Sequence, residues 1–217
     1  EIKHALATEH PYAAWVAQHV LDANALPDAE AAPGPTRQGL ERLQRAFGYT
    51  LEDLSFILQP MAASGKEAVG SMGNDTPLAV LSDKPQLLYS YFKQGFAQVT
   101  NPPLDAIREE LVTSVQTALG PESNLLEPRP ESCHCITLPS PFITNRMLAR
   151  IRALEDKTFT PEVLHMVFPV ADGPEGMEPA LHRLFEQART AIESGTTLLI
   201  LSDRGVDAEH AAIPALL

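Results

Sequence analysis

Cys133-His134-Cys135 places two thiols and an imidazole within three residues. These side-chain types bind soft metals and carry nucleophilic catalysis. A zinc site needs four ligands, normally a Cys-x2–4-Cys pair matched by a second pair. Here one residue separates the cysteines and the chain has no others. Read as a strand, "CHCITL" sends Cys133 and Cys135 to one face and His134 to the other. That separates the ligands and leaves His134 badly placed as a base for either thiol. The expectation is a buried strand with an exposed or hydrogen-bonded His134, with a catalytic Cys–His pair as the weaker alternative. His4, His10, His165, His182 and His210 are scattered. His165 lies in an apolar run and reads as a hydrogen-bonded core residue.

Phosphate chemistry has little support. There is no Gly-x-Gly-x-x-Gly, Walker loop or Gly-x-Ser-x-Gly. Gly65-Lys66 lacks the upstream glycine and the following Ser or Thr of a phosphate loop. "SDRG" at 202–205 sets Asp203 and Arg204 at the end of a strand, where α/β enzymes keep catalytic groups. A helix cap or internal ion pair is the commoner use. The same Leu-Ser-Asp-cation pattern occurs in "AVLSDKP" at 79–85, so Ser82 or Asp83 and Ser202 or Asp203 read as caps of following helices. The remaining candidate is the loop "GSMGNDTP" at 70–77. Gly70 and Gly73 permit positive φ, and Asn74 and Asp75 can bond their own backbone. Pro77 keeps Thr76 out of helical geometry. Such a loop is built to hold a fixed shape against something.

The elements that must position these residues come from a chain of 217 residues, long enough for one large or two small domains. The net charge of −12, from 28 acidic and 16 basic residues, argues against nucleic acid or an anionic membrane as partner. Two neighbouring cysteines fit a reducing compartment. No apolar run is long enough for a membrane span, and no secretory signal is visible. The chain opens on Glu1, which reads as a piece of a longer protein. Its last residues, "GVDAEHAAIPALL", read as the start of a helix cut short at the C-terminus.

Residues 1–37 read as a connecting arm with one short helix near Tyr12–Leu21 and a Pro/Ala/Gly linker after it. "QGLERLQRAFGY" reads as a helix with Leu40, Leu43 and Phe47 on one face, closed by Gly48. "TLEDLSFILQPMAASGKE" restarts on Thr50 with Asp53 three residues on, a variant capping box, and turns Leu54, Ile57, Leu58 and Met61 inward. The two form a helical hairpin. "PQLLYSYFKQGF" and "PLDAIREELVTSV" read as helices. From Cys133 the order is strand, helix capped by Thr144, strand, long helix with Leu181, Leu184, Phe185, Ala188 and Ile192 inward, and a strand "TTLLILSD" apolar on both faces. That alternation implies a parallel sheet. Residues 38–217 thus read as an α/β domain.

"GSMGNDTPLAVLSDKPQLLYSYFKQGFAQVTNPPLDAIREEL" and "LLILSDRGVDAEHAAIPALL" resemble the central domain of the glutamate synthase large subunit, of NADPH or ferredoxin type. "HPYAAWVAQHVL", "RAFGYTLEDLSFILQPMAASGKEA" and "SPFITNRMLARI" fit it too, so the likeness spans essentially the whole chain. Asn74, Leu104 and Ala106 depart from the family pattern. The resemblance implies a partial, mostly parallel, barrel-like β/α domain similar to the family's FMN domain but without cofactor. In the parent, a glutaminase domain frees ammonia from glutamine. A tunnel carries it to a synthase domain with FMN and an iron–sulfur cluster, where 2-oxoglutarate becomes glutamate. The partners implied are those two domains, and a small subunit or ferredoxin through the parent. The implied compartment is the bacterial cytoplasm or the plastid stroma. No catalytic, cofactor or metal residue is carried over. Gly73, Asn74, Asp75 and Thr76 are the implied tunnel or interdomain loop. A free-standing phosphate-binding enzyme acting at Asp203 and Arg204, and a standalone interaction module, are the competing readings.

Overall fold

The computed structural model describes residues 1–65, 77–92, 105–124 and 126–217. Along the chain run α1 (Ile2–Thr8), α2 (Tyr12–His19), β1 (Val20–Asp22), α3 (Arg37–Ala46), a π-helical stretch (Asp53–Leu58), α4 (Gln59–Ser64) and α5 (Glu109–Val112). There follow β2 (Thr117–Leu119), β3 (Cys135–Leu138), α6 (Asn145–Arg152), β4 (Pro161–His165), β5 (Val167–Pro169), α7 (Met177–Glu193), β6 (Leu198–Ser202) and β7 (His210–Ala212). Two compact units result, one from residues 1–33 and 110–213, the other from 34–109 and 214–217.

In the first unit β3 is the middle strand of a small sheet, parallel to β1 and antiparallel to β2. Its alternation of half-buried and buried residues aims Ile136 and Leu138 into a cluster with Ala23, Leu26, Ile151 and Phe159. The hydroxyl of Thr137 donates to the Leu21 carbonyl and adds to the β1–β3 ladder. The segment read as an arm therefore supplies a strand, because Val20 and Leu21 are apolar residues that pair directly with Cys135 and Ile136. The second cluster gathers Leu164, Met166, Phe168, Ala180, Leu184 and Ile213. Here α7 connects the parallel strands β4 and β6, the expected βαβ arrangement.

The architecture is mixed α/β, and the mostly parallel, barrel-like sheet that was expected is not seen among the described residues. Among the described residues the sheets hold two or three strands each, with two parallel and two antiparallel pairings and no closed barrel. The cause near the C-terminus is the turn before β7. The Asp207 carboxylate accepts from the backbone N–H groups of Glu209 and His210 at 2.8 Å each, and Asp207 N donates to the His210 carbonyl. An aspartate that satisfies its own following amides competes with helix formation. The chain reverses and β7 pairs antiparallel with β5, where a new helix was expected.

Other differences have local causes. The strand expected over "CHCITL" begins only at Cys135, because Pro130–Cys133 form a 3-10 turn with proline at its start. In α7 the buried residues are Ala180, Leu184 and Ala191, while Phe185 and Ile192 face outward at 48% and 58% exposure. The small alanines let the helix sit close to its sheet, which turns the two larger side chains away. β6 is apolar on both faces but buried on neither, and Leu201 is 58% exposed. His165 is exposed at the end of β4, not in the core.

In the second unit the turn and capping signals at Gly48 and Thr50–Asp53 hold. Thr36 Oγ1 accepts from Gly39 N and opens α3. Gly48 follows it at φ +69°, with Leu87 packed where a side chain would stand. Thr50 and Asp53 cap reciprocally: Asp53 N donates to Thr50 Oγ1 at 3.1 Å, and Thr50 N donates to Asp53 Oδ2 at 2.9 Å. Of the apolar face expected next, Leu58 and Met61 are exposed. Leu88–Phe92 is a 3-10 turn, not a helix; α5, of which residues 110–112 belong to the first unit, is a single turn. Tyr89 Oη accepts from Ala215 N and ties down the tail within the second unit.

Candidate functional site

His134 meets a partner that composition and spacing concealed. Its Nε2 lies 2.9 Å from Nδ1 of His19, the last residue of α2, with the rings 4.5 Å apart. Two imidazoles bond only when one nitrogen donates and the other accepts, so each ring sets the other's tautomer. The two are 115 residues apart in sequence. Only the parallel pairing of β1 with β3 explains why they meet. Burial, and after it the neighbouring Cys133, pushes the Cys135 thiol up from its ordinary value. A thiol shifted that way is a poor nucleophile and a poor metal ligand. Among the described residues no group of three or more His, Cys, Asp or Glu is placed to hold a metal ion. Iron–sulfur clusters take four cysteine thiolates, so the two cysteines of this chain do not fit that group.

Another polar constellation lies elsewhere in the first unit, where the segment after β1 meets α6. Thr144 Oγ1 accepts from Met147 N and caps α6, as expected. That helix then presents Arg146 and Arg150, one turn apart on one face. Arg146 grips Asp28 with a two-pronged contact, Nε to Oδ1 at 2.9 Å and Nη2 to Oδ2 at 2.5 Å. Arg150 donates from Nε and Nη2 to Oδ1, both at 3.2 Å. The hydrogen bond from Arg146, followed by that from Arg150, holds the Asp28 carboxyl well below the usual carboxylate range. A depressed carboxylate stabilises the fold above its unfolded value of about 3.9. That contribution is lost as pH falls through the lower folded value. Asp28→Asn is therefore expected to lower the urea midpoint at neutral pH, and its deficit should shrink below about pH 4. Paired urea titrations at several pH values test this. A deficit constant down to about pH 2.5 would show that the ion pair contributes nothing. The effect is modest, because Asp28 and Arg146 are both largely exposed.

Arg204, singled out with Asp203, makes no ion pair with it. Its Nη2 donates to Asn145 Oδ1 at 2.7 Å at the start of α6. Ser202 and Ser82 each accept from the amide two residues on, Arg204 N and Lys84 N. The repeated tetrapeptide thus makes the same small serine turn twice, and it caps no following helix at either place. The loop Gly73, Asn74, Asp75 and Thr76 lies outside the described residues, as does the segment 93–104. No described helix is long and apolar enough to cross a membrane.

A family model described as "Glutamate synthase central domain" matches residues 42–217. The chain belongs to that family. The glutamate synthase [NADPH] large chain of Bacillus subtilis is 42% identical over 217 residues, all of this chain and 14% of that protein. The chloroplastic ferredoxin-dependent glutamate synthase of Spinacia oleracea is 40% identical over 220 residues, again all of this chain and 13% of its relative. The glutamate synthase [NADH] of Schizosaccharomyces pombe is 36% identical over 227 residues, 11% of its length. The glutamate synthase central domain thus spans a small part of each relative's length. Those relatives are named for three electron donors, NADPH, ferredoxin and NADH.

Proposed function

We propose that this chain is a non-catalytic central domain of a glutamate synthase, joining a glutaminase domain to an FMN synthase domain and walling part of the ammonia tunnel between them. The observation that carries the reading is the whole-chain likeness, at about 40% identity, to segments making up 11–14% of much longer relatives. The parent converts glutamine and 2-oxoglutarate to glutamate, with FMN and an iron–sulfur cluster held by its other domains. A small subunit or ferredoxin reaches this domain only through the parent. The compartment is the bacterial cytoplasm, or the plastid stroma in a plant-type homologue.

The purified 217-residue chain is accordingly expected to be colourless and to release no ammonia from glutamine and no glutamate from 2-oxoglutarate. Absorption spectra and coupled assays check this. A stoichiometric flavin band, or turnover of either substrate by this chain alone, would overturn the reading in favour of a free-standing enzyme.

A further inference from the structure

Positive charge is scarce in this chain, yet it collects at one place in the first unit. Arg146, Arg150, Arg152 and Arg204 stand around the segment 28–33 where it runs along α6. Arg146 and Arg150 are taken up by Asp28. Along the same segment lies an open groove of about 610 Å³, lined by Ala29 to Pro33 and by Arg152 and Arg204. Arg152 has no hydrogen-bond or ion-pair partner among the described residues. Arg204 uses one of its five donors on Asn145, which holds the guanidinium in place and leaves the rest of the fork open. Glu30 is the single carboxylate in the groove wall, so two guanidiniums face one carboxylate in a protein of net charge −12.

We propose that this groove docks an acidic peptide segment from another domain of the parent chain, its carboxylates received by Arg152 and Arg204. This rests on the reading of the chain as one domain of a longer glutamate synthase. Three features favour a peptide over a small anion. Five of the eleven residues that line it are alanine and none is aromatic, unlike the apolar and aromatic enclosures that hold small ligands. The groove is open, and exposed Arg–carboxylate pairs are singly too weak to hold a free anion. A segment tethered in the same chain needs no enclosure, because its effective concentration is high. Arginine's planar fork also suits a carboxylate in two-pronged contact.

The test uses the full-length enzyme carrying Arg152→Lys, treated with a carbodiimide that joins an amine to a carboxylate in contact with it. Peptide mass spectrometry is expected to find position 152 coupled to an Asp or Glu outside residues 1–217, and the coupling should be lost when Arg204→Glu is added. Coupling only to Glu30 or other carboxylates of this unit overturns the proposal. So does a cross-link indifferent to Arg204→Glu. Protection of the amides of α6 by inorganic phosphate, with no cross-link, reassigns the groove to a small anion and equally overturns it. If the full-length protein makes glutamate from glutamine and 2-oxoglutarate but gives no such cross-link, the docking fails alone. If it shows no such activity, the parent reading fails with it.

Discussion

Ile136→Ala is expected to remove about 2–5 kcal/mol from the stability of the first unit, enough to leave it partly unfolded at 25 °C if its total lies at the low end of the usual 5–15 kcal/mol. Ile136 is fully buried, at 0% exposure, on the central strand of a three-stranded sheet. It pairs with Leu21 of β1 on one side and Leu119 of β2 on the other. Its side chain belongs to the cluster that includes Ala23, Leu26, Ile151 and Phe159, so truncation opens a cavity against three different elements. Collapse into that cavity is limited by the backbone. A Cβ at Gly120 would already lie 2.4 Å from the His134 carbonyl oxygen, which shows how tightly β2 is drawn onto the start of β3. Urea unfolding followed by circular dichroism measures the loss. Phe142→Ala, at a side chain 90% exposed, serves as the control and should fall within about 0.5 kcal/mol of the parent chain. If the two variants unfold at the same urea concentration, the cluster around Ile136 is not the core of this unit.

What could be read from the sequence was local. Thr144, Gly48 and the Thr50–Asp53 pair act over three or four residues, and each does what its chemistry dictates. The βαβ order of β4, α7 and β6 was legible for the same reason, since a periodic helix between two apolar runs has few alternatives. Readings that depended on distant partners fared worse. Val20–Asp22 has no strand signature of its own and becomes one only by pairing with β3, more than a hundred residues later. The His19–His134 contact follows from that pairing and was equally hidden. Asp207 was read as part of a helix because its apolar neighbours outnumber it, yet three of its own hydrogen bonds decide the turn. The parallel barrel-like sheet was expected from the order of elements together with the family likeness. Short antiparallel strands such as β2 and β7, three residues each, carry too little pattern to be seen beforehand. The family, by contrast, was legible, because long stretches of specific sequence carry it.

Gly73→Val in the full-length glutamate synthase is expected to uncouple its two half-reactions, so that glutamine hydrolysis outruns glutamate formation while synthesis from added ammonia survives. The argument starts from residue types in "GSMGNDTP". Glycine is the residue that adopts positive φ without penalty, and valine there meets a cost of about 1–2 kcal/mol as well as a stiff branched side chain. Asn74 and Asp75 favour turns that bond back on their own backbone, and Pro77 excludes the helical region for Thr76. A loop of that composition is expected to hold the Thr76 carbonyl and hydroxyl in a set direction. In a narrow passage, such a group can accept a hydrogen bond from ammonia, or close the path when it swings inward. Changing the loop's shape should then spill or block ammonia without touching either reaction centre. The glutaminase nucleophile and the flavin belong to other domains in this reading, which is why the ammonia-dependent rate serves as the internal control. Parallel assays of ammonia release, glutamate formation and ammonia-dependent synthesis separate the outcomes. A loop that merely docks against a neighbour would lower all three together through lost stability. If the variant keeps one-to-one coupling at a normal glutamine-dependent rate, Gly73 to Thr76 have no part in channelling.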